Sequence, residues 1–148
     1  MTGWRLGYII ASEDLMRPIQ KMIQNFFISP NAFVQEAAIV ALTECEKETE
    51  KMRKIYDERR RFKIKRLREI GFGITIEPTG AFYVFANAKK FTNDSYRFAF
   101  EILEKAKVGV TPEIDFGSGG EGYIRFSYAN SLNNIKEGLA RIERFLAK

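Results

Sequence analysis

Residues 1–8 read Met-Thr-Gly-Trp-Arg-Leu-Gly-Tyr. The charged side chain in this stretch is Arg5, whose planar guanidinium stays protonated near neutrality and can bind a phosphate or a carboxylate through two parallel hydrogen bonds. Apolar residues dominate from Arg5 to Ala11, which predicts a buried strand. On these residues alone, a surface arginine at the start of a strand is the simpler interpretation of Arg5.

Two helices are predicted after this strand. Ser12 is a candidate N-cap, because its hydroxyl can accept a hydrogen bond from a free backbone N–H, and helical spacing of apolar residues continues to about Asn25. Residues 27–31 include Pro30 and interrupt the pattern. An Ala-rich stretch at residues 32–42 then predicts a second helix.

A third and much longer helix is predicted from about Thr43 to Ile70. Acids lie near its start and bases near its end, an order that complements the helix dipole. The bases are Arg59, Arg60, Arg61, Lys63, Lys65, Arg66 and Arg68. The sequence carries a net charge of +5, so a nucleic-acid groove is the alternative. We interpret these bases as a solvated helix face, since no RNA- or DNA-binding motif accompanies them.

The residues beyond Gly71 are typical of a small mixed domain. Gly71 is expected to end the long helix, because glycine readily adopts the left-handed conformation found there. Strands are predicted at residues 74–77, 81–86, 108–110 and 123–128, helices at about 93–107 and from Ser131 or Asn133 onward, and a loop at 112–122. The predicted fold class is therefore α/β: a helical N-terminal segment, a long linking helix and a small α+β domain.

Composition excludes several classes of protein and site. Of the 148 residues, 45% are hydrophobic and 29% are charged, as in globular domains. No apolar run approaches the roughly 18 residues that span a bilayer, so we expect no membrane partner. Cys45 is the single cysteine, which excludes an intrachain disulfide and favours a reducing, cytoplasmic location. The sequence has no histidine, so we predict no imidazole metal site and no Ser–His or Cys–His catalysis.

Three segments, in this order and spacing, resemble the class I and II aminotransferases that use pyridoxal phosphate, the aspartate aminotransferase family. They are residues 1–8, Pro78-Thr-Gly-Ala-Phe-Tyr83 and Gly122-Tyr-Ile-Arg-Phe-Ser-Tyr-Ala129. The resemblance covers nearly the whole chain and implies the C-terminal portion of a fold type I enzyme. Residues 1–42 would then be a remnant of the large cofactor-binding domain, 43–70 the connecting helix and 71–148 the small C-terminal domain.

The same resemblance implies roles for two arginines. In the family, the arginine after Gly-Trp binds the phosphate of pyridoxal 5'-phosphate, and Arg5 matches it. The arginine of a Gly-x-x-Arg-x-Ser-x-Ala segment binds the α-carboxylate of the substrate, and Arg125 matches it. From the residues alone, Arg125 interrupts an apolar strand, where an unpaired charge is costly. A structural ion pair with an acidic neighbour is therefore the alternative to a substrate-binding role.

We expect the catalytic residue to lie outside this sequence. The family's Schiff-base lysine precedes the opening motif, whereas the first lysine here is Lys21. We therefore expect a C-terminal part of an aminotransferase that acts on an amino acid and a 2-oxo acid, is inactive alone, and forms a homodimer or a domain-swapped oligomer. The alternative is a stand-alone binding or interaction module that kept the small-domain fold. The sequence does not indicate which amino acid is the donor.

Overall fold

The structure, a computed structural model, describes residues 1–147. The chain divides into two compact units, residues 1–51 and the residues from Met52 onward. The described residues form five α-helices and one three-stranded antiparallel sheet. The predicted α/β class is confirmed.

The first unit is helical. A short 3-10 turn at Thr2–Trp4 precedes helix α1 (Glu13–Phe26) and helix α2 (Ala32–Glu44). Asn31 caps α2, because its side-chain oxygen accepts a hydrogen bond from the N–H of Phe33 at 3.2 Å. Ser12 occupies the N-cap position of α1, although its side chain makes no capping hydrogen bond. Both predicted helices are confirmed to within two residues at their ends.

The strand predicted from Arg5 to Ala11 is wrong. The segment forms a turn followed by irregular backbone, and the Ile10 side chain is 88% exposed. A strand requires a neighbouring strand to pair its N–H and C=O groups, and none of the described residues pairs with this segment. The burial predicted for this segment is wrong as well, since Tyr8, Ile9 and Ile10 are exposed and none of the described residues offers the segment a pairing strand.

Helix α3 (Glu46–Ile70) ends as the sequence predicted. Gly71 has a φ of 112°, and its N–H donates to the carbonyl of Arg68 at 3.0 Å. The N–H of Phe72 donates to the carbonyl of Leu67 at 2.9 Å. These two bonds satisfy carbonyls that the end of a helix leaves open, in the arrangement called a Schellman motif. The chain therefore leaves the helix in a fixed direction.

Acidic side chains neutralise much of the basic stretch of α3. Asp57 accepts hydrogen bonds from Arg61 and Arg60. These bonds lower the pKa of Asp57 to about 2, and the bond from Arg61 has the larger effect. Arg66 pairs with Glu143 at 2.8 Å, and Arg68 pairs with Glu77 at 2.7 Å. The stretch has the ion pairs of a solvated helix face, the interpretation favoured from the sequence.

The second unit is built on a sheet whose strands follow the order β1-β3-β2. Its strands are β1 (Tyr83–Asn87), β2 (Thr111–Pro112) and β3 (Tyr123–Ser127); its helices are α4 (Ser95–Glu101), continued by a π-helical turn (Ile102–Ala106), and α5 (Leu132–Leu146). Helices α4 and α5 and the strands β1 and β3 were predicted within a few residues. Two predicted strands are wrong. Residues 74–77 are irregular, with one bridge from Gly73 to Asn87, and β2 lies just beyond residues 108–110.

The core of this unit lies on one face of the sheet. Alternate residues of β1 and β3 point into it and meet apolar side chains of α3, α4 and α5. The fully buried members with the largest side chains are Tyr128, Leu67, Ile102, Ile124, Ile142 and Val84. The opposite face of the sheet carries Tyr83, Phe85, Tyr123 and Arg125, which are exposed or half-buried.

Candidate functional site

Arg125 lies in the central strand of the sheet, on the face opposite the core. Its neighbours in β3, Ile124 and Phe126, are 0% and 3% exposed, so the alternation of the strand places Arg125 on the other side. Its partners across the sheet are Phe85 in β1 and Thr111 in β2. The sheet therefore holds the backbone of Arg125 from both sides and presents its side chain away from the core.

An acidic side chain is in contact with Arg125. The Nε of Arg125 lies 3.1 Å from the Oε1 of Glu113, and the Glu113 residue is 7% exposed. Both atoms are buried, but the N–H is not directed closely enough at the oxygen for a hydrogen bond, and neither has another partner among residues 1–147. We therefore describe the contact as an ion pair, and not as a hydrogen bond. This is the acidic neighbour that the sequence left as an alternative partner.

Two aromatic rings also approach the guanidinium. Its Cζ lies 4.7 Å from the ring centre of Tyr83 and 4.2 Å from that of Phe116. Such cation–π contacts contribute about 0.5–1 kcal/mol each at exposed sites. The two Nη atoms make no hydrogen bond or ion pair with any described residue. The site can therefore offer a planar pair of donors to a carboxylate.

The loop at 112–122 holds Glu113 and Phe116 in place. It contains two 3-10 turns, Glu113–Phe116 and Ser118–Gly120. A Cβ at Gly120 would lie 2.1 Å from the carbonyl oxygen of Glu113, so the close approach of the two turns requires glycine there. The Oε1 of Glu121 accepts hydrogen bonds from the N–H groups of Ser95 and Gly122, both at 2.8 Å, which lower the pKa of Glu121. The loop is thus tied to the start of α4.

Lys63 and Tyr128 fix the end of β3 and the chain that follows it. The Lys63 ammonium donates to the carbonyl of Ser127 at 2.6 Å, and the Tyr128 hydroxyl donates to the carbonyl of Ala81 at 3.1 Å. Burial lowers the pKa of Lys63 to about 8. Lys63 also lines a cavity of about 410 Å³ together with Asn130 and Asn134. From the sequence we interpreted Lys63 as part of an exposed helix face. Lys63 lies four residues before the buried Leu67, so both are on the same face of α3, and this spacing was the signal that could have indicated its burial.

Arg5 belongs to the first unit and is exposed. It follows the 3-10 turn and has a φ of 56°, in the left-handed region that few non-glycine residues adopt. It makes no hydrogen bond or ion pair with any residue that the structure describes. Its guanidinium is therefore available to an anion.

No set of three His, Cys, Asp or Glu side chains within residues 1–147 is arranged to hold a metal ion. Among the described helices, none combines the length and apolar character needed to cross a membrane.

Sequence comparisons match the chain along almost its whole length. A family model described as aminotransferase class I and II matches residues 1–142. A (5-formylfuran-3-yl)methyl phosphate transaminase of Methanocaldococcus jannaschii is 46% identical over 149 residues, which cover 100% of this chain and 39% of that protein. An aspartate aminotransferase of Pyrococcus horikoshii is 43% identical over 99% of this chain and 38% of its own length.

Solved structures agree. The crystal structure of an aromatic aminotransferase from Pyrococcus horikoshii superposes with a TM-score of 0.91 at 40% identity and covers 99% of this chain and 40% of its own. An aminotransferase from Mycobacterium tuberculosis gives a TM-score of 0.90 at 36% identity, covering 99% of this chain and 38% of its own. The chain thus spans about two fifths of the length of the relatives it matches, and corresponds to their C-terminal part.

Proposed function

This chain belongs to the class I and II aminotransferases, and we propose that it is the C-terminal part of an enzyme that transfers an amino group between an amino acid and a 2-oxo acid. The observation that carries this proposal is Arg125. Its guanidinium belongs to a strand held from both sides and contacts two rings, and its Nη atoms have no polar partner among the described residues. Every amino acid and every 2-oxo acid has the same carboxylate, so one such arginine suits both partners of the reaction.

Arg125 would bind and orient the substrate. Its Nη pair matches the two oxygens of a carboxylate in a bidentate contact, which fixes the plane of the ligand as well as its position. The rings of Tyr83 and Phe116 contact the guanidinium and favour its present position. The arginine therefore needs little reorganisation when the ligand arrives.

Arg5 fits the phosphate of pyridoxal 5'-phosphate, the cofactor that the family implies. An exposed guanidinium with no partner among the described residues matches a dianionic group in charge and geometry. The bound cofactor would supply the electron sink for reaction at the substrate α-carbon. No lysine precedes Arg5 in this sequence. We therefore assign no residue of this sequence to covalent attachment of the cofactor or to proton transfer.

The first unit needs a partner to cover it. Val34 is the one buried side chain described in residues 1–51, and several large apolar side chains are exposed there. The most exposed are Tyr8, Ile10, Phe26, Phe27, Ile28 and Leu42. We propose that the rest of the enzyme, or a second copy in a homodimer or a domain-swapped oligomer, covers them. A reducing cytoplasm suits a sequence whose single cysteine is Cys45.

Complementation tests the proposal. The chain is mixed with a separately purified large-domain part of a close relative, and cofactor absorbance and amino transfer are measured. We expect both to appear when the parts are combined and neither with the chain alone. The alternative, a stand-alone interaction module, draws support from the complete core of the second unit. A folded chain that restores no activity with any relative's large domain, at concentrations where the two parts bind each other, would favour that alternative.

A further inference from the structure

The contact between Glu113 and Arg125 places a fixed negative charge inside the proposed carboxylate site. Glu113 is 7% exposed, and its carboxylate reaches the Nε edge of the guanidinium rather than the Nη pair. A glutamate is rarely buried unless it is paired, and Arg125 is the one basic group in contact with it among the described residues. The ion pair of Glu113 and Arg125 therefore carries no net charge.

The position of Glu113 is structurally determined. It begins the 3-10 turn Glu113–Phe116, directly after Pro112 in β2, and Pro112 pairs with Ile124 next to Arg125. Its carbonyl is packed against Gly120, which has no space for a Cβ. The sheet and the loop thus hold the backbone of Glu113, and its side chain lies beside the guanidinium that would bind the ligand.

A site of this kind discriminates by the second charge of the ligand. The first carboxylate gains short-range hydrogen bonds to the Nη pair, which the Nε contact leaves free. A second carboxylate in the same ligand is repelled by Glu113. For an assumed separation of about 9 Å and a dielectric constant of about 40, between the values for water and for a protein surface, Coulomb's law makes this repulsion worth a factor of about five in affinity. The surroundings work in the same direction, since Tyr83, Phe85 and Phe116 present apolar rings beside Arg125.

We propose that Glu113 is a specificity-determining residue, whose charge lowers the affinity of the Arg125 site for a ligand with two carboxylates relative to a ligand with one carboxylate and an uncharged remainder. The inference rests on the proposed role of Arg125 as the carboxylate-binding residue. It extends that role to the substrate class: the charge of Glu113 disfavours amino acids with acidic side chains relative to those with uncharged side chains.

The test compares propionate with succinate, which share an apolar chain and differ in charge. Each is titrated into the full chain at pH 7.5, and the Nε–Hε signal of Arg125, identified by its loss in Arg125→Lys, is followed by NMR. The Glu113→Gln variant keeps the size and an acceptor oxygen but removes the charge. We expect the ratio of succinate to propionate affinity to rise about fivefold in this variant. Any effect on the position of the guanidinium acts on both ligands and cancels in the ratio.

A matched control is Glu137→Gln, which removes one carboxylate from the exposed pair with Arg141 and leaves the surroundings of Arg125 unchanged. The ratio should stay at its wild-type value. An unchanged ratio in Glu113→Gln would overturn the inference and leave the carboxylate role of Arg125 intact.

If neither propionate nor succinate shifts the Arg125 signal, the proposed carboxylate role fails. The effect of the Glu113 charge is then measured by covalent modification of Arg125 instead of reversible binding. Phenylglyoxal, which is neutral, and its 4-carboxylate derivative, which is anionic, both modify arginine, and peptide mapping gives the rate at Arg125. Glu113→Gln should raise the relative rate of the anionic reagent about fivefold. Arg141 in the same sample is the internal reference. Equal relative rates at Arg125 in both proteins would contradict the inference.

Discussion

Lys63 makes the stability of the second unit depend on pH in an unusual direction. Its ammonium is buried, and burial lowers its pKa in the folded chain to about 8 from the 10.5 expected when it is exposed. Below pH 8 the group is charged in both states, and the folded state bears the cost of burying the charge. Between pH 8 and 10.5 the folded chain releases a proton that the unfolded chain keeps, so stability rises with pH. The difference in pKa sets a maximum gain of about 3 kcal/mol, most of which is reached by pH 10.

The assay is urea unfolding followed by far-UV circular dichroism at pH 7 and pH 10, on the wild-type chain and on Lys63→Met. We expect the free energy of unfolding to rise by about 2–3 kcal/mol in the wild type and by much less in the variant. The variant leaves the carbonyl of Ser127 without its donor at both pH values, so the difference between them is the decisive quantity. Tyr128, whose pKa is raised by burial, opposes the gain only above about pH 10. The same pH dependence in both proteins would refute the reasoning.

Three further predictions concern the chain by itself. Incubation with pyridoxal phosphate and borohydride should label no single lysine stoichiometrically, because no lysine occupies the family position before Arg5. Peptide mapping measures the labelling. Full labelling of one lysine, such as Lys21, would contradict the prediction. Sedimentation should show association that increases with concentration, because residues 1–51 expose large apolar side chains; a compact monomer at every concentration would contradict it. Gly71→Ala should cost about 1 kcal/mol or more of stability in thermal unfolding, because Gly71 has a φ of 112° and a Cβ would lie 3.2 Å from the Phe91 ring. Gly109→Ala, where nothing lies within 4 Å, should cost much less.

Local signals in the sequence were sufficient for the helices. The cap at Ser131 and the left-handed residue Gly71 at the end of α3 each depend on one residue and its immediate neighbours. Such features are encoded within four or five residues, so a single sequence predicts them. The alternating strand at Tyr123–Ser127 was predicted for the same reason.

Strands that depend on distant partners were not predicted reliably. Residues 5–11 and 74–77 have apolar residues in positions that suit a strand. A strand also needs a neighbouring strand to pair with, and that neighbour comes from a distant part of the sequence. Ile76, for example, is 80% exposed because no strand lies beside it. The edge strand at Thr111–Pro112 is two residues long, which is too short for any pattern to reveal.

The candidate site was predicted in part. The sequence selected Arg125 and named two kinds of partner, and the structure brings Glu113 into contact with it. Glu113 was not identified from the sequence, because its contact with Arg125 depends on how the loop at 112–122 folds back at its glycines. The burial of Lys63 was also missed, because a charged residue among other charged residues was interpreted as exposed.

The carboxylate role of Arg125 is the central claim, and kinetics on the complemented enzyme test it most directly. Arg125→Ala is combined with a relative's large-domain part, and kcat/KM is measured for a panel of acidic, aromatic and aliphatic amino acids. A lost charge-assisted hydrogen bond is worth about 1.5–3 kcal/mol. We therefore expect kcat/KM to fall about 10- to 150-fold for every amino acid, with cofactor absorbance retained. A loss confined to acidic amino acids, or no loss at all, would contradict the claim.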